Sequence, residues 1–270
     1  MTKPFIKCVG GKTQWLEILD SAMPEGDVKG SYYEPFVGGG ALLWHLWDTK
    51  RINHACIGDA NRHLINCYNW MQKDPRRLHE FVESWMRTHG EEQYYRCREE
   101  MNGEAFSDES VVQAVYYMYL NRTCFNGLAR FNQKGKFNSP IGRKANGDLY
   151  YAPPDLQEYL LNQEALNYTK VYNLPHTDSM EFAQESDFMY LDPPYHKTFT
   201  GYTRKGFGEE EQTDLRDRFA KLPCSAMLSN SDTPFIRELY KDFRIDTFEN
   251  LRSVGAKKRK TVRDVLIRNY

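Results

Sequence analysis

The sequence contains no long apolar segment. A helix that spans a membrane needs about 20 consecutive apolar residues, and no run in these 270 residues approaches that length. The first residues, Met1–Phe5, also lack the apolar core of a secretion signal. The sequence therefore predicts a cytoplasmic protein that makes no membrane contact.

Cysteine is sparse and scattered. The six cysteines form no Cys-x-x-Cys pair, and none has a histidine at the spacing of a metal site. This pattern argues against a zinc site and favours reduced thiols. No metal ion is expected.

Net charge is nearly absent as well. The 36 Lys and Arg residues stand against 37 Asp and Glu residues, which leaves −1 at pH 7. Total charge therefore indicates no partner, and only its distribution along the chain can do so.

No internal repeat or low-complexity linker divides the chain. Its length and its 40% hydrophobic residues suit one large α/β domain, or one domain with a substantial insertion.

The tetrapeptide Asp192-Pro193-Pro194-Tyr195 follows a short apolar run, residues 187–191, that predicts a buried strand. The prolines end the strand because neither can donate an N–H. Asp192 is thus expected at the carboxyl end of a strand, where open α/β sheets bind ligands. An acid, a free carbonyl and an aromatic ring suit a flat ligand with an amino group. For the tetrapeptide alone, a strand-ending turn with an incidental tyrosine is the alternative.

A second candidate is the segment Tyr32–Gly40, in which an aromatic strand runs into three glycines before a predicted helix at 41–46. Strand, glycine turn and helix open a nucleotide-binding βαβ unit. A tight turn alone needs one glycine, so three favour a ligand against bare backbone. Asp59 ends the next predicted strand about 20 residues later, where nucleotide folds place an acid that binds ribose hydroxyls. Capping the following helix is its alternative role.

The loop Gly10-Gly11-Lys12 precedes a helix predicted over 14–19, with Trp15, Ile18 and Leu19 directed inward. A lysine after two glycines at a helix start can bind an anion, but the loop lacks the spacing of a P-loop. A plain tight turn is the favoured interpretation of this loop alone.

Apolar residues at helical spacing predict three further helices that belong to the core. The first helix is predicted over 61–72. The second begins at Asp74-Pro75 and directs Phe81 inward, and the third begins at Asp108 and directs Val112 inward. The remaining predicted elements are helices over 155–166 and 209–222, strands over 170–174 and 225–230, and a final antiparallel pair of strands over 243–248 and 262–267.

The stretch 121–147 carries cations and no acid: Arg122, Arg130, Lys134, Lys136, Arg143 and Lys144. Unopposed cations in an otherwise balanced chain indicate a phosphate-binding surface. Phe125, Phe131 and Phe137 lie between them, as in surfaces that stack on bases. The pattern favours a nucleic-acid surface over a solvated loop. A second basic run, 257–260, suits either a charged loop or another such patch.

Together these motifs resemble one family, the Dam-type N6-adenine DNA methyltransferases of the DPPY class, essentially from end to end. The resemblance is carried, in family order, by KCVGGK (7–12), EPFVGGG (34–40), Asp59, FNGLAR (125–130), FNSPIG (137–142), Asp178-Ser179, DPPY (192–195) and LSN (228–230). It implies an α/β fold with a doubly wound, mixed, seven-stranded Rossmann-like sheet. Residues 1–60 and 150–270 would form the catalytic domain, and 61–149 an inserted, mainly helical DNA-recognition domain.

The resemblance implies that S-adenosylmethionine binds at the sheet edge, near Cys8, Lys12, Phe36, Gly38, Asp59, Asp178 and Asp192. Asp59 would hold the ribose hydroxyls, and Asp178 would lie near the cofactor adenine. Cys8 stands where relatives commonly have tryptophan, which removes a ring from that position.

The resemblance also implies that the basic segment reads double-stranded DNA. The implied DNA-binding residues are Lys7, Phe125, Asn126, Leu128, Arg130, Asn132, Arg143 and Lys144. Phe125 would enter the base stack during base flipping, and Arg143 would contact phosphate. Lys144 stands where some relatives have an aromatic residue. The expected target is adenine in GATC or a related site. The resemblance also implies a protein of bacterial or phage type that is associated with the nucleoid and acts on DNA as a monomer or weak dimer.

Adenine chemistry assigns the catalytic roles to Asp192, Pro193 and Tyr195. The exocyclic nitrogen is a poor nucleophile because its lone pair is delocalised into the ring. Acceptance of its N–H groups by the Asp192 carboxylate and the Pro193 carbonyl would localise that pair and stabilise the developing positive charge. The alternatives are methyl transfer to RNA or to cytosine N4, and a catalytically silent DNA-binding homologue.

Overall fold

The computed structural model describes residues 2–8, 10–103, 107, 109–173, 175–196, 207–254 and 258–270, without the side chains of 250–254 and 258–261. The strands are β1 (Tyr32–Glu34), β2 (Ala55–Gly58), β3 (Thr169–Tyr172), β4 (Phe188–Leu191), β5 (Ser225–Ser231), β6 (Arg244–Val254) and β7 (Lys258–Arg268). The α-helices are α1 (Leu16–Ala22), α2 (Ala41–Asp48), α3 (Arg62–Lys73), α4 (Pro75–Arg87), α5 (Glu91–Gly103), α6 (Val111–Thr123), α7 (Leu156–Leu166), α8 (His176–Met180), α9 (Glu209–Phe219) and α10 (Pro234–Leu239).

In this described part of the chain the strands form one seven-stranded sheet in the order β3-β2-β1-β4-β5-β7-β6. Strands β1 to β5 are parallel, and β7 pairs antiparallel with both β5 and β6. The predicted mixed, doubly wound sheet and the terminal antiparallel pair are thus confirmed. The strand order reverses between β1 and β4, so the ends of these two strands flank the crevice where such sheets bind ligands.

Two apolar cores cover the two faces of the sheet. Tyr32 of β1 and Tyr190 of β4 belong to the larger core, whereas Tyr33 and Met189 belong to the smaller one. Because successive side chains of a strand point to opposite faces, the cores lie on opposite sides. Among the described helices, none is long and apolar enough to cross a membrane.

Side-chain caps fix the starts of several helices. Asp74 accepts from the backbone N–H of Arg77 at 3.0 Å, ahead of Pro75 in the first position of α4. Ser110 accepts from Gln113 N at 3.2 Å and begins α6. Short polar side chains at these positions satisfy N–H groups that have no partner within the helix. The sequence placed the third helix start at Asp108, which lies outside the described residues.

Three residues predicted to point inward are exposed instead: Ile18 at 43%, Phe81 at 40% and Val112 at 44%. Ile18 and Phe81 each lie beside an inward pair at i, i+4 spacing, Trp15 with Leu19 and Leu78 with Val82, and these pairs fill the buried face. Val112 lies in the first turn of α6, ahead of its buried run.

Three helices were not predicted from the sequence: α5, the short α8 at the end of β3, and the short α10 between β5 and β6. Helix α5 buries only Tyr94, Cys97 and Met101, so its apolar period is weak. The predicted strand over 170–174 ends at Tyr172, and Leu174 lies outside the described residues.

The glycine turn Gly38–Gly40 is tied to the helices behind it. Tyr68 Oη donates to the Gly38 carbonyl at 3.0 Å, and Trp44 Nε1 donates to the Gly39 carbonyl at 2.8 Å. Gly38 and Gly40 have positive φ values of 48° and 68°. A Cβ on Gly39 would lie 3.2 Å from the Ile6 carbonyl. The backbone geometry therefore favours glycine at all three positions, whereas a tight turn alone was expected to need only one.

Gly40→Ala should destabilise the fold more than Gly26→Ala. Both glycines have positive φ, which costs alanine about 1–2 kcal/mol. A Cβ on Gly40 would also lie 2.9 Å from Tyr68 Oη, whereas one on Gly26 meets nothing within 4 Å. Overpacking of this kind adds roughly 1–3 kcal/mol. Denaturant unfolding of both variants measures the difference, and equal losses would contradict the steric argument.

Candidate active site

Asp192 lies directly after β4, at the switch point, with its side chain 20% exposed. Its Oδ1 accepts from Ser229 Oγ on β5 at 2.7 Å. The Ser229 hydroxyl in turn lies 3.0 Å from Tyr190 Oη. The other carboxylate oxygen of Asp192, Oδ2, accepts from Lys12 Nζ in a short ion pair. The carboxylate is thus held on both oxygens, in a fixed orientation at the end of the strand.

Lys12 brings the Gly10–Lys12 loop to this carboxylate. Its side chain is 8% exposed, and Nζ also donates to the Gly10 carbonyl at 2.8 Å. The ammonium lies 5.1 Å from the centre of the Tyr195 ring, within the range of a cation–π contact. The loop therefore does more than turn the chain, although the sequence alone favoured a plain turn.

Asp59 follows β2 and holds the glycine turn. Its Oδ2 accepts from Gly38 N at 3.1 Å, and its Oδ1 accepts from Asn61 N at 2.8 Å. Burial raises the pKa of Asp59, and these two hydrogen bonds oppose that rise. The cap of α3 is Asn61, whose side chain accepts from His63 N. The alternative role of Asp59 as the cap is therefore wrong.

Three more residues expected at the cofactor lie around this edge. Phe36 packs against His176 with ring centres 4.8 Å apart. Asp178 is exposed on α8 and accepts from Thr177 Oγ1 at 2.8 Å. Cys8 packs under Gly38, where an added Cβ would lie 3.7 Å from its Sγ. Burial, with the charges of Asp59 and Asp192, raises the pKa of the Cys8 thiol to about 12, so the thiol stays protonated at neutral pH.

Glu34, at the end of β1, is a buried acid that the sequence analysis did not single out. It is 3% exposed and accepts from Tyr32 Oη at 2.9 Å. Burial is the main cause that raises the pKa of Glu34 to about 8, and the charge of Asp192 adds to the rise. The hydrogen bond from Tyr32 and the charge of Lys12 oppose it. The position of Glu34 at a strand end, next to the glycine turn, is the sequence feature that could have identified it as a site residue.

The basic segment folds into irregular hairpins beside the N-terminal motif. Asn121 clamps the main chain of Lys7 by accepting from its N–H at 2.9 Å and donating to its carbonyl at 2.8 Å. Lys7 Nζ lies 3.9 Å from the centre of the Tyr150 ring. A cavity of about 280 Å³ opens between Lys7, Asn126, Arg143 and Tyr150.

The aromatic part of the base-stacking prediction is partly wrong. Phe125 is 41% exposed, but Phe137 is buried at 1% and belongs to the core. Phe131 is half-buried and stacks on His63 with ring centres 5.3 Å apart. An alternating pattern of rings and cations cannot show which rings fold under the hairpin. Among these rings, only Phe125 is available to a base.

The charged residues of the segment also find partners. Arg122 donates to the Ala152 carbonyl at 3.0 Å, and Arg143 forms a short ion pair with Glu91 of α5. Leu128 and Arg130 are half-buried, while Asn126, Asn132, Arg143 and Lys144 are exposed. The second basic run, 257–260, has no described side chains. Among the described residues no group of three or more His, Cys, Asp or Glu side chains could hold a metal ion.

The mixed seven-stranded sheet carries the acid-Pro-Pro-Tyr turn and the glycine turn at its switch point, where open α/β sheets bind nucleotide-type ligands. Residues 9–254 match the family model of the D12 class N6 adenine-specific DNA methyltransferases. The chain belongs to this family. It is an enzyme that transfers a methyl group from S-adenosylmethionine to the N6 amino group of adenine in DNA.

Relatives match over nearly the whole chain. The type II methyltransferase M1.LlaDCHI of Lactococcus lactis subsp. cremoris is 38% identical over 99% of this chain and 95% of its own. The type II methyltransferase M.MjaIII of Methanocaldococcus jannaschii is 34% identical over 99% of each chain. The DNA adenine methylase of Escherichia coli strain K12 is 30% identical over 94% of this chain and 90% of its own. These matches confirm the predicted family and set aside the RNA, cytosine and silent-homologue alternatives.

Glu34→Gln should become more stable relative to the wild type as pH rises from about 4.5 to about 8. In this window folded Glu34 keeps a proton that the unfolded chain has lost, because burial raises its pKa from 4.5 to about 8. Stability contributed by Glu34 therefore falls by about 1.4 kcal/mol per pH unit. The glutamine retains an acceptor for Tyr32 and does not titrate.

Denaturant unfolding of ligand-free Glu34→Gln and wild type, repeated at intervals across this pH window, measures the effect. Glu158→Gln, on a half-exposed helical surface, serves as the matched control. A stability difference between Glu34→Gln and wild type that stays constant with pH would contradict the raised pKa.

Proposed function

We propose that this enzyme methylates an adenine flipped out of double-stranded DNA, in GATC or a close relaxation of it, at the Asp192–Tyr195 turn. The observation that carries the proposal is the fixed Asp192 carboxylate at the switch point, bonded to Ser229 and Lys12 and followed by a ring. A flipped base is required because the N6 amino group cannot reach a strand end from within the duplex.

In this proposal the Asp192 carboxylate and the Pro193 carbonyl accept the two N–H groups of the adenine amino group. Each carboxylate oxygen has more than one lone pair, so the bonds from Ser229 and Lys12 leave capacity for the substrate. Acceptors fixed in advance stabilise the positive charge that develops on nitrogen. Asp192 then takes the proton that the methylated nitrogen loses. Stacking of the base on Tyr195 contributes roughly 1–3 kcal/mol.

The residues around the glycine turn fit the methyl donor. When bound, S-adenosylmethionine supplies an activated methyl on a positively charged sulfur. Gly38 presents backbone without a side chain at this edge, and its Cβ position is in van der Waals contact with Cys8 at 3.7 Å. We assign Asp59 to the ribose hydroxyls and Asp178 to the cofactor adenine, with Phe36, Cys8 and Lys12 beside them. Both oxygens of Asp59 already accept backbone N–H groups, which orients the carboxylate.

Residues 61–149 are proposed as the DNA-recognition insertion of the catalytic domain formed by 1–60 and 150–270. Arg130 is suited to a bidentate contact with guanine O6 and N7. Its Nε is buried, so the contact is assigned to the two terminal nitrogens of the guanidinium. Phe125, exposed beside Asn126 with its positive φ of 55°, is placed to wedge into the base stack.

The other proposed contacts follow from exposure and charge. We assign Lys7, Asn126 and Leu128 to base reading, Asn132 and Lys144 to the outer part of the site, and Arg143 to phosphate. Phosphate would have to replace Glu91 as the partner of Arg143. We further propose that the protein acts as a monomer or weak dimer on DNA, in the cytoplasm at the nucleoid.

Asp192→Ala should lower methyl transfer by about 10²–10³-fold or more, because it removes a fixed acceptor at the reacting nitrogen. Binding of duplex DNA should persist. Since Asp192→Ala leaves the buried Lys12 unpaired, circular dichroism and melting curves are its folding controls. Near-normal turnover in Asp192→Ala would overturn the assigned role.

Asp59→Ala should instead weaken binding of S-adenosylmethionine, measured by calorimetric titration.

The target sequence is tested with a panel of duplexes that carries every single substitution in GATC. Arg130→Ala should lose about 1–3 kcal/mol of discrimination at one base pair. Arg143→Ala should weaken binding to all sequences alike and reduce the salt dependence by about one unit of slope. Glu91→Gln, which frees Arg143, is the matched control and should not weaken binding.

Each outcome of the panel bears on one assignment. An Arg130→Ala enzyme with the wild-type ranking of duplexes would remove Arg130 from recognition. A wild-type enzyme that is indifferent to substitutions around the adenine would refute the GATC assignment and leave methyl transfer itself intact.

A further inference from the structure

Two fully buried amides lie behind the Asp192–Tyr195 turn, Gln212 on α9 and Asn230 on β5, each 0% exposed. Gln212 Nε2 donates to the Pro194 carbonyl at 2.9 Å. Asn230 Nδ2 donates to Gln212 Oε1 at 3.0 Å. Asn230 Oδ1 accepts from the backbone N–H of His196 at 3.0 Å and from that of Ser231 at 2.8 Å. The four bonds form one continuous chain.

The chain fixes the orientation of both amides. A carbonyl can only accept, so Gln212 must present its NH₂ group to Pro194 and its oxygen to Asn230. Asn230 must then present its NH₂ group to Gln212 and its oxygen to the two N–H groups. Reversal of either amide would place two donors or two acceptors against each other in a buried site, at the cost of unsatisfied polar groups.

The two ends of this chain grip the peptide groups on either side of Tyr195. The Pro194 carbonyl belongs to the peptide that precedes Tyr195, and the His196 N–H belongs to the peptide that follows it. Peptide groups are planar, so fixing one atom of each restrains the backbone of Tyr195 on both sides. The turn has few bonds of its own, because Pro193 and Pro194 have no N–H to donate.

His196 anchors the far side of the turn further. It is 6% exposed, and its ring contacts Thr233 Oγ1 at 2.8 Å and Glu209 Oε1 at 3.2 Å. Thr233 caps α10 and Glu209 begins α9. Residues of α9 and β5 and the cap of α10 therefore hold the turn from behind, and Tyr195 as a whole is 9% exposed.

We propose that Gln212 and Asn230 are positioning residues that aim the Tyr195 ring at the target adenine. This inference rests on the proposed role of Tyr195 in stacking on the flipped base. Displacement of a reacting group by about 1 Å can cost about 100-fold in rate. Loss of the amide chain should therefore lower kcat by roughly 10- to 100-fold, with little change in the binding of S-adenosylmethionine.

The test combines Gln212→Met, which preserves length and apolar volume, with Tyr195→Ala in a double-mutant cycle. If Gln212 acts through Tyr195, the double variant should be no slower than Tyr195→Ala alone. Multiplied losses would show that Gln212 acts elsewhere and would overturn the inference. Single-turnover methyl transfer to a duplex, with S-adenosylmethionine affinity measured in parallel, supplies the rates.

Two further variants complete the design. Gln157→Met changes an exposed glutamine on α7 and should leave the rate unchanged. Asn230→Ala removes both the donor to Gln212 and the acceptor for His196 and Ser231, so it should reproduce the loss if Gln212→Met is too unstable to assay. Melting curves give the folded fraction to which each rate refers.

The two levels of proposal fail separately. Unchanged turnover in Tyr195→Ala would refute the stacking role on which this inference rests. A slow Tyr195→Ala enzyme beside wild-type rates in Gln212→Met and Asn230→Ala would leave the stacking role standing and remove only the positioning pair.

Discussion

The ion pair between Lys12 and Asp192 is the contact on which the site depends. It joins residues 180 positions apart, and the lysine side chain is only 8% exposed. A buried ammonium without an anion costs several kcal/mol, so the Asp192 carboxylate stabilises the docked position of the loop around Lys12. The acid at the end of β4 thereby also fixes the N-terminal loop.

A second acid close to this pair would disturb it if both acids were ionised. Glu34 avoids the conflict because burial raises its pKa to about 8, which keeps it protonated at neutral pH. The proton of Tyr32 is donated to it, so the neutral acid remains hydrogen-bonded. One cation then faces one anion at the switch point. Burial is the main cause of the raised pKa of Glu34, and the nearby Asp192 charge adds to it, so Glu34 holds its proton beside the ion pair.

The sequence predicted those parts of the site that depend on local pattern. Strand ends at Asp59 and Asp192, the glycine turn and the terminal antiparallel strands follow from apolar runs and from the backbone demands of proline and glycine. The parts that it missed depend on contacts between distant segments. Nothing near Arg143 shows that Glu91 will pair with it, and nothing near Phe137 shows that its ring will be buried. Gln212 was missed because a glutamine on a charged helix normally faces water.

The short N-terminal segment connects the proposed reading of DNA with the proposed chemistry. Lys7 is clamped to the basic segment by Asn121, which is 1% exposed, and Lys12 is bonded to Asp192. Between them Cys8 packs under the glycine turn. The distance from the proposed base-reading lysine to the proposed catalytic carboxylate is therefore limited by the few residues of chain between Lys7 and Lys12. A contact surface between domains could slide, whereas a covalent segment held at both ends cannot. In the proposed function, the position of the base that Lys7 reads would then determine where the target adenine meets Asp192.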